Sequence, residues 1–194
     1  MKKLLGILVL GLFLITPSQA DDVQDIQIEN MSTGESLLKY MDKEEIEKGK
    51  KTDYPGSKKF SRVFKKFQDS IYDDVQFHFK TNDSKYIIHT IEGVIYFEND
   101  MPACLNKQKE VASEISKEIS AKIEKNDAEK KIDQQGDHRS TIYVQYIAIK
   151  GGFVDFICYD WTKKYEDIPF GFTDSLKISI TTNEMDKWIS TEAF

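Results

Sequence analysis

The residues able to do chemistry are two cysteines, three histidines, many carboxylates and an aromatic-rich stretch near residue 150. Cys104 and Cys158 are the only cysteines. In an oxidising compartment an even number is the count expected of a structural disulfide, whereas a reducing one would leave two buried thiols. A redox-active pair needs a low-pKa thiolate, often within Cys-x-x-Cys, and this spacing supplies neither. A structural Cys104–Cys158 bond is the expectation.

His78, His89 and His138 are the imidazoles. If a hairpin turns tightly on Asn82-Asp83, His78 and His89 project from one face, and one extra loop residue places them on opposite faces. Zinc needs three or four ligands, and a third would have to come from His138 or a carboxylate. No His-x-x-x-His or His-Glu-x-x-His spacing occurs, so ordinary histidines are expected, with no metal and no cofactor. Among the carboxylates, Asp155 shares a hairpin face with Phe153, Ile157 and Tyr159, which predicts partial burial and a raised pKa. Asp160 precedes Trp161. Glycosidase-like chemistry would need two carboxyls roughly 5–10 Å apart across a cleft, and the sequence marks no such cleft. There is no Gly-x-Ser-x-Gly elbow and no phosphate-cradling glycine loop. The catalytic residues of any enzyme here are therefore unassigned. Tyr146, Phe153, Tyr159 and Trp161 belong to one face of a predicted hairpin, and Tyr143 and Phe156 to the other. Either both apolar faces are covered or one binds something. Tyr146, Tyr159, Trp161 and Asp155 are the candidate binding residues.

Several elements must position these groups. Residues 21–31 are polar without a strong period and predict a loose lead-in. Ser32-Thr33-Gly34-Glu35 fits a capping box opening a helix that carries Leu37, Leu38 and Met41. Further helical turns follow over Asp42–Lys51, up to the turn signal Tyr54-Pro55-Gly56-Ser57. Phe60–Phe67 fits both helical and strand spacing and is assigned as strand. Val75, Phe77 and Phe79 alternate with Gln76, His78 and Lys80. Thr81-Asn82-Asp83-Ser84 is turn chemistry, and Tyr86–Phe97 forms the return strand with a bulge at Gly93. Asp100 caps a long helix with Pro102 in its first turn; Cys104, Val111, Ile115, Ile119 and Ile123 mark its apolar stripe. Asn126–Ser140 is polar and aperiodic, predicting a loop. A second hairpin over Thr141–Trp161 turns on Gly151-Gly152. After a loop with Pro169 and Gly171, Leu176, Ile178 and Ile180 form a last strand. Asn183–Ala193 closes as a helix with Met185, Trp188 and Ile189 inward. The expected fold is α+β: a largely antiparallel sheet of about six strands in two hairpin units, a long helix on one face, and short terminal helices. Residues 32–194 would be a single domain.

The address comes from the first twenty residues. Lys2 and Lys3, the apolar run Leu4–Ile15, Pro17 and Ser18-Gln19-Ala20 have the order of a cleavable secretory signal. The run is short for a membrane span, and no later stretch approaches one. No cysteine follows it to take a lipid anchor. The leader carries two lysines and no carboxylate, so its removal takes the net charge from −6 to −8. Such a chain repels a phosphate backbone, and Arg62 and Arg139 are its only arginines. Nucleic acid is excluded as a partner, and bidentate recognition of an anion has few candidate residues.

The run Glu29–Tyr40, the Tyr72–Phe97 hairpin with Phe77-His78-Phe79 and Ile91-Glu92-Gly93, and Cys158-Tyr159-Asp160-Trp161 together resemble a group of uncharacterised small exported proteins of marine SAR11-type bacteria. The resemblance implies a compartment and a source, but no activity. In architecture alone the chain also resembles the small lipoproteins of outer-membrane assembly, from which the missing anchor cysteine departs. The expected function is non-enzymatic binding of an envelope component or small ligand in the periplasm. The alternatives are a small hydrolase using Asp155, Asp160, His78 and His89, and a structural or stress-related envelope protein.

Overall fold

A computed structural model describes residues 21–52, 54–132, 138–167 and 172–194. The predicted signal segment and the loop residues Pro169 and Gly171 lie outside these. The fold is α+β: the described residues form an antiparallel eight-stranded sheet with four helices, of which one is longer than nine residues. The strands are β1 (Phe60–Lys65), β2 (Asp74–Lys80), β3 (Ile88–Tyr96), β4 (Glu124–Lys125), β5 (Glu129–Ile132), β6 (His138–Ile149), β7 (Gly152–Trp161) and β8 (Ser175–Thr182). The helices are α1 (Lys43–Gly49), α2 (Met101–Glu118), α3 (Lys163–Glu166) and α4 (Asn183–Thr191). In space the strands run β1-β2-β3-β8-β7-β6-β4, and β5 also pairs with β6. β8 therefore joins the two hairpins into one sheet.

Of the two strands beyond the expected six, β5 lies in the segment read as a loop, and β4 lies just before it, after the last residue of the predicted helix stripe. Their charged sequences carry no alternation, and pairing to the long edge of β6 is what makes them strands. Local propensity yields there to tertiary pairing.

One face of the sheet builds the main core. Val75, Phe77, Ile91, Val154, Phe156, Ile178 and Ile180 are each at most 2 % exposed. Helix α2 lies over β6, β7 and β8. Asp100 caps it by accepting from Ala103 N–H at 3.0 Å, with Pro102 in the first turn as expected. It ends at Ile119, short of the predicted Ile123, where Ser120 turns to φ 51°. Its buried stripe is Cys104, Gln108 and Ala112, at i, i+4, i+8; Val111 and Ile115 flank it, partly buried. The Gln108 amide donates to the carbonyls of Tyr143 (2.6 Å) and Phe156 (2.7 Å) and accepts from Gln145 Nε2 (3.0 Å). A polar group inside a core is tolerated because it is satisfied in this way.

The lead-in is not loose. Residues 21–31 dock on the core: Val23, Ile28 and Met31 are at most 2 % exposed, and Val23 N–H donates to Lys150 O at 2.9 Å. Three apolar residues spaced irregularly give no period, yet each finds a place against the sheet. The capping box at Ser32 is half made. Glu35 reaches back to Ser32 N–H at 3.2 Å, but Gly34 adopts φ 84° and no helix follows directly. Ser36 instead caps a single 3-10 turn, Leu37–Lys39.

In the first hairpin the irregularity falls at His89, between the pairs His78↔Thr90 and Phe79↔Ile88, and not at Gly93. Gly93 has a different reason to be glycine: a Cβ there would stand 2.3 Å from the Tyr72 ring. The second hairpin turns on Lys150-Gly151, with Gly151 at φ 84° and Gly152 already paired to Ile149. That moves the predicted register by one residue on each strand. The change is even, so every side chain keeps its predicted face.

Candidate binding face

On the far side of the sheet, strand pairing lines up a band of polar and aromatic side chains. Phe64 stands opposite Gln76, Gln76 opposite Glu92, Glu92 opposite Ser179, Ser179 opposite Asp155, and Asp155 opposite Tyr146. Along β7 the same face carries Phe153, Asp155, Ile157, Tyr159 and Trp161. The four candidate residues Tyr146, Asp155, Tyr159 and Trp161 thus share one face and are each part-exposed.

One end of this face is closed. Helix α4 lies against β8, β3 and β7. Its Met185 and Trp188 pack with Phe60 and Ala193 into a small second core bordered by Tyr54. The predicted inward residue Ile189 is instead 38 % exposed, because the helix turns only Met185 and Trp188 to the sheet. His78 and His89 border this cluster. His78 Nδ1 meets the Tyr54 hydroxyl at 3.0 Å, and the His89 ring lies 5.1 Å from that of Phe60. The hydroxyl of Thr182, which begins α4, is 3.4 Å from His89 Nδ1. His138 opens β6 at 3.3 Å from the Thr141 hydroxyl. Among the described residues no three metal-binding side chains converge.

Beyond α4 the face carries charge. Glu92 and Lys177 form an ion pair at 3.5 Å, and the Lys177 ammonium lies 5.4 Å from the Tyr159 ring centre. Burial alone would raise the Glu92 carboxyl, but Lys177 and His78 beside it bring it down to about 2. Asp155 goes the other way. Burial, reinforced by the negative Glu92, pushes its carboxyl up to about 7, against a contribution from the Ser179 hydroxyl. Its Oδ1 is buried with no hydrogen-bond partner. Asp155 was read from sequence as part-buried among apolar neighbours, and it is. Asp160 pairs with Thr141 and belongs to the opposite face, where burial and Asp174 raise its carboxyl. The two carboxyls of the hydrolase reading are therefore not brought together.

At the far end of β7 the aromatics stack. Tyr159 and Trp161 rings lie 5.7 Å apart and near parallel, and Phe172 stacks on Trp161 at 4.1 Å. The Arg139 guanidinium stands 5.1 Å from the Trp161 and Phe172 rings and 5.8 Å from Tyr165. Phe172 also borders a depression of about 310 Å³ lined by Glu98, Asn99, Lys163, Glu166, Asp167 and Thr173. Nothing in the sequence placed Phe172 or Arg139 here, since both reach Trp161 from outside the hairpin's alternation.

Cys104 and Cys158 are fully buried, with their sulfurs 2.03 Å apart and Cα atoms 6.1 Å apart, at disulfide distance. No helix among the described residues is long and apolar enough to cross a membrane. No family model, curated protein or solved structure matches the chain.

Proposed function

We propose that this is an exported periplasmic protein that binds a small ligand, without catalysis, on the far face of its sheet. The observation that carries the reading is the open end of that face, where the part-exposed Tyr159–Trp161–Phe172 stack runs beside the Glu92–Lys177 pair. Aromatic planes with a few placed polar groups are the usual lining of a small-molecule site. A protein partner fits less well, because the centres of protein interfaces are depleted in charge and this face holds an ion pair in its middle. The leader-like residues Lys2–Ala20 and the resemblance to exported SAR11-type proteins support the compartment, and a buried cysteine pair at bonding distance is at home in an oxidising one.

The test is a thermal-shift and NMR screen of residues 21–194 against small metabolite-like carboxylates, amines, sugars and amino acids. At least one compound should shift the amides of β6 and β7 around Tyr159, and Tyr159→Ala should weaken it about tenfold or more. If every hit maps elsewhere, or none is found, the reading fails. Mass spectrometry of the periplasmic fraction should find a chain beginning at Asp21 with its two thiols unreactive before reduction.

A further inference from the structure

We propose that Arg139 is the anion-binding group of this face and that the ligand is a small planar monocarboxylate. The inference rests on the binding reading above and names the chemistry at one end of it.

Arg139 is one of two arginines in an acidic chain. Its guanidinium stands beside the stacked Trp161 and Phe172 rings, 5.1 Å from each, and 5.8 Å from Tyr165. Among the described residues it has no ion pair, although carboxylates outnumber cations in the sequence. Its Nε is buried with no hydrogen-bond partner. An arginine that only fastened a loop would gain most from a carboxylate, which its planar fork matches with two parallel hydrogen bonds. Here the rings flank the side chain, and among the described residues no carboxylate pairs with it. The terminal nitrogens can take an anion from outside. Stacking pre-organises them, so less rotamer freedom is lost when one binds.

The same surroundings set the rest of the ligand. Phe172 is 39 % exposed beside the guanidinium, so a flat apolar body attached to the carboxylate could lie against that ring. Past Phe172, the depression carries Glu98, Glu166 and Asp167. Lys163 is already paired with Asp167 at 3.1 Å. A second negative charge on the ligand would meet these acids and be repelled, so the site rejects dianions by charge.

Four probes decide this, followed by ¹⁵N NMR of the Trp161 indole and the Arg139 guanidinium. Benzoate should bind saturably. Benzamide, the same shape without charge, phthalate, a dianion, and inorganic phosphate, an anion without a ring, should each bind about tenfold more weakly or worse. Arg139→Met should abolish the preference for benzoate over benzamide. Arg139→Lys should keep part of it, because the charge remains while the fork is lost. Benzamide binding as well as benzoate, or Arg139→Met binding benzoate unchanged, overturns the anion assignment. Phosphate or phthalate binding as well as benzoate overturns the planar monocarboxylate. Absence of benzoate binding overturns the inference alone if another screen compound shifts the amides around Tyr159. If no compound shifts them, the binding reading has failed as well.

Discussion

At the scale of single residues, the Asp155–Ser179–Glu92 row holds two carboxyls with opposite responses to acid. Asp155 titrates near 7 in the folded chain, well above its ordinary value of 3.8. Folded protein therefore holds a proton between pH about 4 and 7 that the unfolded chain has released, and stability falls as pH rises through that window. Asp155→Asn should match wild type in melting temperature at pH 4 and exceed it at pH 8, by on the order of 2 kcal/mol after discounting for contact with solvent. A difference that does not grow with pH would show Asp155 to be an ordinary carboxylate. Glu92 is depressed to about 2 from 4.5, so its contribution is complete above pH 4.5 and lost as pH falls toward 2. Lys177→Met should cost roughly 1–3 kcal/mol by leaving Glu92 without its ammonium, and Glu92→Gln in the same chain should restore much of it. Chemical denaturation of the two single variants and the double variant measures the coupling directly.

Among the elements, the paired cysteines tie α2 to β7 across 54 residues of chain. Replacing both by alanine should lower stability by about 2–5 kcal/mol, read from urea midpoints with unchanged slope. A loss below 1 kcal/mol would mean that α2 is held mainly by Gln108 and its neighbours. Gly152 offers a sharper local test. A Cβ there would fall 2.0 Å from the Thr181 carbonyl, so Gly152→Ala must push β7 from β8, with a cost expected above 2 kcal/mol in the same urea titrations. The elements were legible in the sequence wherever alternation was long. β2, β7 and β8 each carry buried residues at every second position, and an even shift of register left the face of Asp155 unchanged. Short or partner-made elements were not legible. β4 and β5 lack a pattern of their own, the irregularity at His89 depends on how the loop around Asp83 is capped, and Gln108 reads as solvent-facing until two strand carbonyls are laid beneath it. The candidate face was half visible: Tyr146, Asp155, Tyr159 and Trp161 follow from alternation, whereas Arg139 and Phe172 arrive through the path of the chain.

For the molecule as a whole, one sheet carries two unequal coats. The inner coat is α2 with the docked N-terminal segment, and the outer coat is α4 with the residues around Tyr54. The outer coat ends before Tyr159, which is why the far face stays accessible at one end. Deleting residues 21–31 strips Val23, Ile26, Ile28 and Met31 from the inner coat. Losing four buried side chains should remove several kcal/mol, at about 1.5–3 kcal/mol each before relaxation; hydrogen exchange should show lost protection along β7 and β8, where Val23 docks. A truncated chain as stable as the parent would mean the segment is ornamental. The backbone nitrogens of Asp21 and Asp22 both donate to one carboxylate oxygen of Asp25, at 3.2 and 3.0 Å. In a preprotein the Asp21 nitrogen is a neutral amide. If a leader is cut after Ala20 it becomes a free α-ammonium, and that cleavage would itself install a positive charge opposite a waiting acid. Protein beginning at Asp21 should then melt higher than protein with one extra alanine in front, and Asp25→Asn should erase the gap.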